Sequence, residues 1–328
     1  MTTKASDSGA DGARIPVRSM SWSDLGSLMR RRGAVLCVTA GLMGLAAQPA
    51  WAAGAEQRSF PSPEAAVDAL VTAARADRTA DLVRLLGPEG KRLVTSGDPV
   101  ADKAGRAKFV AAYTTKHEIS LTGDATATLV VGDEQWPLPI SIVRRGGAWR
   151  FDTKAAEQEI LARRIGRNEL SAIEVCRAYV DAQREYASKD RNNDGLLEYA
   201  QKFTSSRGRQ DGLYWPVKPG EPESPIGVLV ASAHAEGYKR EPYHGYYYKI
   251  LKAQGKYAPG GAYSYMAKNR MIGGFALVAF PAQYGNSGIM TFIVNQDGVV
   301  YEKNLGPKTS SIARAITAFD PDPTWKTP

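Results

Sequence analysis

Residues 289–303 read IMTFIVNQDGVVYEK, and this stretch decides the fold of the C-terminal half of the chain. Residues 289–295 are rich in β-branched and aromatic side chains, which favour a β-strand. Asp297-Gly298 is a dipeptide typical of the tight turn that joins two antiparallel strands. Residues 299–303 are long enough to return as the second strand, so the stretch predicts a β-hairpin.

Two further strand patterns lie before this hairpin. Residues 245–251 alternate so that Tyr246, Tyr248 and Ile250 share one face of a strand. Residues 274–281 form a nearly continuous apolar run, which is typical of a buried strand. Together with the hairpin, these segments predict a four-stranded antiparallel sheet.

A long helical pattern precedes the sheet. Apolar residues recur at helical spacing over residues 155–188, which predicts either one long helix or two abutting helices broken near Gly166. The simplest arrangement packs this helix on one face of the four-stranded sheet, and a short helix is predicted at residues 309–319. Residues 155–328 are therefore predicted to form one α+β domain.

The N-terminal half has helix patterns followed by strand patterns. Ser62 and Pro63 indicate a helix start, because serine caps a helix and proline fits its first turn. The predicted helices begin at Ser62, at Thr79 and at residue 103, and the predicted strands cover residues 120–131, 136–144 and 149–151. Residues 60–153 are therefore predicted to form a separate small α+β domain, with helices on a curved antiparallel sheet.

An export signal is predicted within residues 1–52, with Met20 or Met29 as an alternative start. Three arginines at residues 30–32 form a cationic region, residues 34–47 form an apolar region, and residues 50–52 form a small-x-small cleavage site. The apolar region is shorter than the roughly 20 residues that span a bilayer. Cleavage after the last of these small residues would leave no stable membrane span, and it predicts a periplasmic or secreted protein.

Removal of the signal changes the charge and the cysteine count. The first 52 residues contain six basic and three acidic residues, so the formal net charge falls from +8 to +5. The remaining cations are interspersed with acids, which indicates a solvated surface and argues against nucleic acid. An anionic envelope polymer stays open as a partner. Cys176 alone remains, and its place among apolar helix positions predicts a buried thiol without a disulfide.

One short segment carries candidate metal ligands. They are oxygen donors at alternate loop positions: the side chains of Asp190, Asn192, Asp194 and Glu198, the carbonyl of Leu196, and Gln201 at position twelve. With Gly195 at position six, this order is typical of a calcium loop, although an EF-hand has a bidentate glutamate at position twelve. The loop predicts weak, structural Ca²⁺ binding. The alternative is a polar turn that ends the long helix, because Asn, Asp and Gly are also turn residues.

Other candidate sites are less specific. Tyrosines are dense over residues 238–265, where they predict either a sugar- or peptide-binding surface or the alternating core and surface positions of strands. His234, Glu236, Glu241 and His244 have the side chains of a zinc site, but no helical spacing orients them. No nucleophile motif or acid–base pair is recognisable from spacing.

Several of these segments resemble known families. The long helix with residues 245–248, Gly274-Phe275 and residues 291–300 resembles the globular heads of bacterial type IV pilins and pseudopilins. The hairpin that ends at residues 149–151 resembles the nuclear-transport-factor-two-like fold. These resemblances imply a pilin-like C-terminal domain and a cone-shaped N-terminal domain.

A further resemblance covers most of residues 60–328. Residues 187–190, 211–216 and 295–298 read ASKD, DGLYWP and NQDG, and they are similar to the secreted bacterial domain-of-unknown-function family 2950. This resemblance implies no activity.

Three functional hypotheses follow. The first is a non-enzymatic binding or assembly protein of the envelope or the exterior, whose partner is an unidentified envelope protein or polymer. The second is a periplasmic hydrolase or glycan-processing enzyme, with a site assembled from residues distant in sequence. The third is a calcium-stabilised, pilus-like subunit.

Overall fold

The computed structural model describes residues 57–239 and 241–328 of the chain, so the predicted export signal lies outside the described residues. The described helices are α1 (Pro63–Arg75), α2 (Thr79–Leu86), α3 (Gly90–Val94), α4 (Pro99–Thr115), α5 (Thr153–Ala187), α6 (Gly227–Glu236) and α7 (Thr309–Ala315). The strands of the N-terminal half are β1 (His117–Thr122), β2 (Thr126–Val131), β3 (Trp136–Pro137), β4 (Ile142–Arg145) and β5 (Ala148–Phe151). The strands of the C-terminal half are β6 (Tyr246–Leu251), β7 (Ala253–Gln254), β8 (Tyr263–Ser264), β9 (Met266–Ala267), β10 (Arg270–Met271), β11 (Ala276–Pro281), β12 (Met290–Asn295) and β13 (Val300–Asn304). The predicted α+β class is confirmed.

α1 and α4 each begin directly after a capping residue. The hydroxyl of Ser62 accepts a hydrogen bond from the Ala65 N–H group over 3.2 Å, which confirms the predicted start of α1. α4 begins earlier than predicted, because Asp98 caps it by accepting a hydrogen bond from the Ala101 N–H group and Pro99 occupies its first position.

The predicted strand at residues 120–131 is two strands. β1 and β2 pair antiparallel, with Thr122 opposite Thr126, and Gly123 has a φ of +63° in the turn between them. The alternation of apolar residues continues across this turn, which is why the pattern did not reveal it. Leu121, at the end of β1, is 62% exposed.

The predicted strand at residues 136–144 is also interrupted. β3 is only two residues long and pairs with β2, and β4 begins at Ile142. Pro137 and Pro139 explain the break, because proline has no N–H group to give to a ladder. The resulting sheet has the order β1-β2-β4-β5. β4 pairs with the first residues of β2, and β3 pairs with its last two residues.

The N-terminal hydrophobic core lies between α1, α2 and this sheet. Its members include Val67, Leu85, Leu129, Ile142 and Phe151, all of which are buried. α4 has no fully buried side chain. Because α4 buries no side chain completely, space remains between α4 and this core.

α5 is one continuous helix of 35 residues, so the single-helix alternative is confirmed and the alternative with a break near Gly166 is wrong. A single glycine inside a helix costs about 1 kcal/mol relative to alanine, which packing on either side can offset. Ala156 belongs to the N-terminal core, whereas Tyr179 and Tyr186 belong to the C-terminal core. α5 therefore contributes to both cores.

The C-terminal sheet has the predicted four antiparallel strands, in the order β13-β12-β11-β6. All six residues of β11 are buried, so both faces of the sheet are covered at this strand. α5 packs against β11 and β12, and α7 also contacts β11. Arg314 of α7 lies over the rings of Tyr247 and Phe280, at 5.4 and 5.6 Å.

α6 was not predicted. It begins at Gly227 with a Val-Leu-Val sequence that also suits a strand, and it ends at Gly237, whose φ is +99°. A glycine with a left-handed backbone conformation is common directly after the last residue of a helix. The two-residue strands β7 to β10 were not predicted either, because such short segments carry no periodic pattern.

Candidate functional site

A cavity of about 310 Å³ lies in the N-terminal half, beside α4. Its walls are mostly apolar and include Leu70, Ala74, Leu82, Leu86, Phe109, Leu138 and Ile140. Gly105 of α4 also lines the cavity, and a Cβ atom at this position would meet no atom within 4 Å. The cavity therefore exists because α4 presents small or half-buried side chains to the core.

A half-buried carboxyl group faces this apolar space. Asp102 lines the cavity, and its Oδ2 atom accepts a hydrogen bond from the Ser96 N–H group over 2.9 Å. Burial raises the pKa of Asp102 above its ordinary value of 3.8, although Ser96, Arg164 and Arg106 act in the opposite direction. Asp102 is thus the one acid among the charged residues of the cavity, and the others are arginines.

Two of the three arginines that line the cavity have hydrogen-bond or ion-pair partners. The guanidinium of Arg164 donates to the carbonyl groups of Arg92 and Leu93, over 2.8 and 2.6 Å, and burial lowers its pKa. Arg106 forms an ion pair with Asp77.

A third cation of the cavity has no anionic partner in the described part of the chain. Arg167 is exposed and lines the cavity, and within residues 57–239 and 241–328 its side chain makes no hydrogen bond or ion pair. It also lines the adjoining groove between α4 and β2, together with Lys108 and Trp136. Asp133 and Glu134 line this groove as well, so its own charges offset, whereas the charged residues of the cavity itself are three arginines and Asp102.

A second polar centre joins α5, α6 and the turn before β6. The hydroxyl oxygen of Ser171 lies 2.6 Å from Nδ1 of His244, and Nε2 of His244 lies 2.9 Å from Oε2 of Glu236. His244 and Gly245 have φ values of +48° and +76°, as the two central residues of a tight hairpin turn do.

This arrangement has the order of contacts of a nucleophile, a base and an orienting acid. When Nε2 of His244 carries the ring proton and donates to Glu236, Nδ1 is free to accept from the Ser171 hydroxyl. Seventy-three residues separate Ser171 from His244. No sequence spacing could reveal the pair, because long-range packing creates it.

The structure separates the side chains of the weak zinc candidate. His244 contacts Glu236, whereas the ring of His234 packs edge-on against Tyr214 at 6.0 Å. Within the described part of the chain, no group of three or more His, Cys, Asp or Glu side chains is arranged to hold a metal ion.

The predicted calcium loop folds around its own polar side chains. Oδ2 of Asp190 accepts a hydrogen bond from the Gly195 N–H group over 2.7 Å, and Nδ2 of Asn192 donates to Glu198 over 3.1 Å. Oδ1 of Asp194 accepts from the Leu196 N–H group over 3.1 Å. Asp190, Asn192, Asp194 and Glu198 therefore take part in hydrogen bonds within one loop, but among the described residues its three carboxylates do not form a group arranged to hold a metal ion.

Two features of this loop differ from the pattern of an EF-hand. The amide of Gln201 is engaged elsewhere, because it donates to the Asn269 carbonyl and accepts from Lys252. Arg270 forms an ion pair with Asp194, which lowers the pKa of that carboxyl group. The guanidinium competes with any cation for the same oxygen atoms.

The tyrosine-rich segment divides between core and surface. Tyr246 and Tyr265 are fully buried, whereas Tyr247, Tyr257 and Tyr263 are exposed. The strand interpretation therefore accounts for much of the segment. The predicted buried thiol is also confirmed: Cys176 is fully buried, and burial raises its pKa to about 12.

Comparison with known proteins identifies one family. A family model described as "Protein of unknown function (DUF2950)" matches residues 57–327. No curated protein and no solved structure matches the chain. The resemblances to pilin heads and to the nuclear-transport-factor-two-like fold stay predictions. Among the described residues, no helix combines the length and the apolar character needed to cross a membrane.

Proposed function

We propose, from the premise that this chain belongs to the DUF2950 family of proteins of unknown function, that it is an exported, non-enzymatic binding protein. Its ligand is a small amphipathic molecule with an apolar body and an anionic head group. The cavity of the N-terminal half holds the ligand, and the cations at the mouth of the cavity contact the head group.

The observation that carries this proposal is an apolar cavity next to unneutralised positive charge. A volume of about 310 Å³ is at the lower end of the range of small-molecule sites. Burial of an apolar ligand stabilises the complex by about 25 cal/mol for each Å² removed from water. Arg167 has no anionic partner of its own within the described chain, so it is available to a carboxylate or phosphate.

Calorimetric titration with dodecanoate and with dodecylamine tests this function. We expect dodecanoate to bind at least about tenfold more tightly, which corresponds to about 1.4 kcal/mol. Replacing Arg167→Gln should reduce this preference. Equal binding of the two probes would contradict an anionic head group.

Two glycine variants show whether the cavity is the binding site. Gly105→Leu should abolish binding, because the new side chain extends into the cavity without meeting a neighbour near its Cβ atom. Gly166→Leu is the matched control, because it also lies inside a helix, has no atom within 4 Å of its Cβ position, and does not line the cavity. Binding that survives Gly105→Leu would place the ligand elsewhere.

The export part of the proposal rests on residues 29–52, which carry the cationic, apolar and small-residue regions of a signal. We expect the mature chain to begin at Ala53. Mass spectrometry of the protein from a bacterial host checks the new N-terminus, and cell fractionation distinguishes periplasm from medium. An intact N-terminus on the folded protein would contradict cleavage.

We also propose that the loop at Asp190–Glu198 binds Ca²⁺ weakly and has a structural role. Its support is the folding of four oxygen-bearing side chains around one turn. The melting temperature should rise at about 5 mM Ca²⁺, above the roughly 0.1 to 1 mM range of extracellular calcium modules. The response should disappear in Asp190→Asn/Asp194→Asn and should increase in Arg270→Gln, which removes the competing guanidinium. A wild-type protein that does not respond would refute the site.

The hydrolase alternative is favoured by the contact of Ser171, His244 and Glu236. In that case a fluorophosphonate probe should label Ser171, and p-nitrophenyl butyrate should be hydrolysed. Ser171→Ala should remove both, whereas Ser232→Ala on the exposed surface of α6 should not. Absence of labelling would leave the three residues as a polar link between helices.

A further inference from the structure

β6 is an edge strand with a short open segment. Among the described strands it pairs with β11 alone. On its other side, Tyr246 exchanges two backbone hydrogen bonds with Tyr243, over 3.1 and 3.0 Å. Because alternate residues of an antiparallel strand direct their backbone groups to the same side, those of Tyr248 and Ile250 also point away from β11.

The outward backbone groups of Tyr248 and Ile250 have no hydrogen-bond partner within residues 57–239 and 241–328. Backbone hydrogen bonds limit this open segment of the edge on both sides. Tyr243 closes one end, and the N–H group of Tyr265 closes the other by donating to the Lys252 carbonyl over 2.9 Å. The gap offers two N–H and two C=O groups, which match an extended segment of roughly three residues.

A groove of about 340 Å³ adjoins this edge. It runs between β6 and α6, and its lining includes Val175, Phe203, Leu229, Val230, Tyr238 and Tyr243. The lining is therefore mainly aliphatic and aromatic. Such a groove between an edge strand and a helix can take alternate side chains of an added strand.

A polar group beside the groove has no hydrogen-bond partner among the described residues. Tyr248 lines the groove, and its hydroxyl is buried without a hydrogen bond in the described part of the chain. Burial raises the pKa of this hydroxyl well above its ordinary value, so it is a neutral donor and acceptor. A buried polar group without a partner is rare in folded proteins, and a bound molecule would satisfy it.

The net charge of the protein favours an acidic ligand. Lys239 lines the groove and is exposed, but Glu241 lines it as well and accepts a hydrogen bond from the Lys239 N–H group over 2.9 Å. Without the predicted export signal, the formal net charge of the chain is +5. A carboxylate on the ligand would be attracted to Lys239 and to the net positive charge of the protein.

We propose that an extended, acidic peptide segment of a partner protein adds to the open edge of β6. Its backbone pairs with Tyr248 and Ile250, its apolar side chains enter the groove, and its carboxylate lies near Lys239. This peptide site is separate from the cavity beside α4, and it does not depend on the ligand proposed there.

Fluorescence anisotropy with a labelled hexapeptide of alternating valine and threonine, with one terminal glutamate, tests the pairing. We expect binding that weakens at least tenfold when alternate peptide amides are N-methylated, because methylation removes the donors that face the edge. Replacing the glutamate by lysine should weaken binding at least threefold. A failure of the glutamate peptide to bind would overturn the proposal, and so would equal binding of the two peptides that are methylated on opposite alternate sets of amides.

One protein variant removes the edge donor directly. Ile250→Pro removes an N–H group that does not bond to β11, and proline is tolerated at such outward edge positions. We expect at least tenfold weaker peptide binding, whereas the matched Ile250→Val should bind normally. Circular dichroism shows whether the proline variant folds. If it does not fold, the methylated peptides test the pairing on the wild-type protein.

A competing outcome is a sugar site built from the same tyrosines. If maltohexaose or chitohexaose bound in the groove and the peptide did not compete with it, the peptide proposal would be wrong. The Gly105→Leu variant should keep full peptide binding, so a failure of the cavity proposal is distinguishable from a failure of this one.

Discussion

The buried carboxylate of Asp98 accepts a hydrogen bond from the hydroxyl of Tyr238 over 2.8 Å, across 140 residues of sequence. The same oxygen atom accepts from the Gly245 N–H group over 2.9 Å, and the other oxygen caps α4. Asp98 therefore ties the start of α4 to the segment around the turn before β6. Hydrogen bonds to a charged group are stronger than neutral ones, typically about 1.5 to 3 kcal/mol.

Asp98→Asn should lower the free energy of unfolding by about 2 kcal/mol, because it removes the charge and places an amide where one oxygen accepts two hydrogen bonds. Urea denaturation measures the change. Asp124→Asn, at an exposed turn position without a hydrogen bond to its side chain among the described residues, is the control and should change stability little. Equal effects of the two substitutions would show that Asp98 does not stabilise this junction.

Tyr248→Phe and Tyr179→Phe should have opposite effects on stability. The hydroxyl of Tyr248 is buried without a partner, so its removal should stabilise the protein by about 1 kcal/mol in the absence of ligand. The hydroxyl of Tyr179 donates to the Ala276 carbonyl and accepts from Gln183, so its removal should cost about 1 kcal/mol. Chemical denaturation of both variants checks the difference. Destabilisation of similar size in both would imply that Tyr248 has an internal partner.

Asp102 should make stability fall as the pH rises through a window above 3.8. Burial raises the pKa of this carboxyl group in the folded state, so the folded protein holds its proton when the unfolded chain has lost it. The free energy of unfolding then decreases with pH between the ordinary value and the raised native value. Denaturation of wild type and Asp102→Asn across this window should show a steeper decrease in the wild type, because Glu198 and Glu302, whose pKa values are also raised, titrate in both proteins. Parallel pH curves would rule out the raised pKa.

Cys176 should resist alkylation in the folded protein. Burial excludes reagent and raises the thiol pKa to about 12, so little reactive thiolate forms near neutral pH. Iodoacetamide at pH 8 should modify Cys176 at least about 100-fold more slowly in buffer than in urea. Mass spectrometry of the Cys176 peptide separates this site from Cys37. Comparable rates in the two conditions would indicate that the helix opens readily around the thiol.

Local patterns predicted the elements that carry strong periodicity or clear punctuation. The hairpin at residues 289–303, the start of α1 at Ser62 and the alternation of β6 all follow from a few neighbouring residues. The turn at Gly123 and the break at Pro137 were missed, because the apolar pattern on either side continued at a period of two. Both errors have the same cause: a turn residue or a proline interrupts a strand although the hydrophobic alternation continues past it.

The candidate sites were less accessible from the sequence. The candidate calcium loop was visible because its side chains are adjacent in the chain, but Arg270, which pairs with Asp194, is 76 residues beyond it. The cavity beside α4 depends on which side chains a helix fails to bury, and no sequence pattern reports this. The open edge of β6 depends on the pairing order of the sheet, so it appears only when all four strands are placed.

The continuity of α5 has a consequence for how the protein unfolds. The domain boundary predicted from the sequence falls at residue 154, but Ala156 beyond it belongs to the core of the N-terminal half. A fragment ending at residue 153 would lose this contact, and a fragment beginning at residue 155 would expose it to water. Since a helix of 35 residues is about 52 Å long and is shared by both cores, we expect the two halves to melt together in a single cooperative transition.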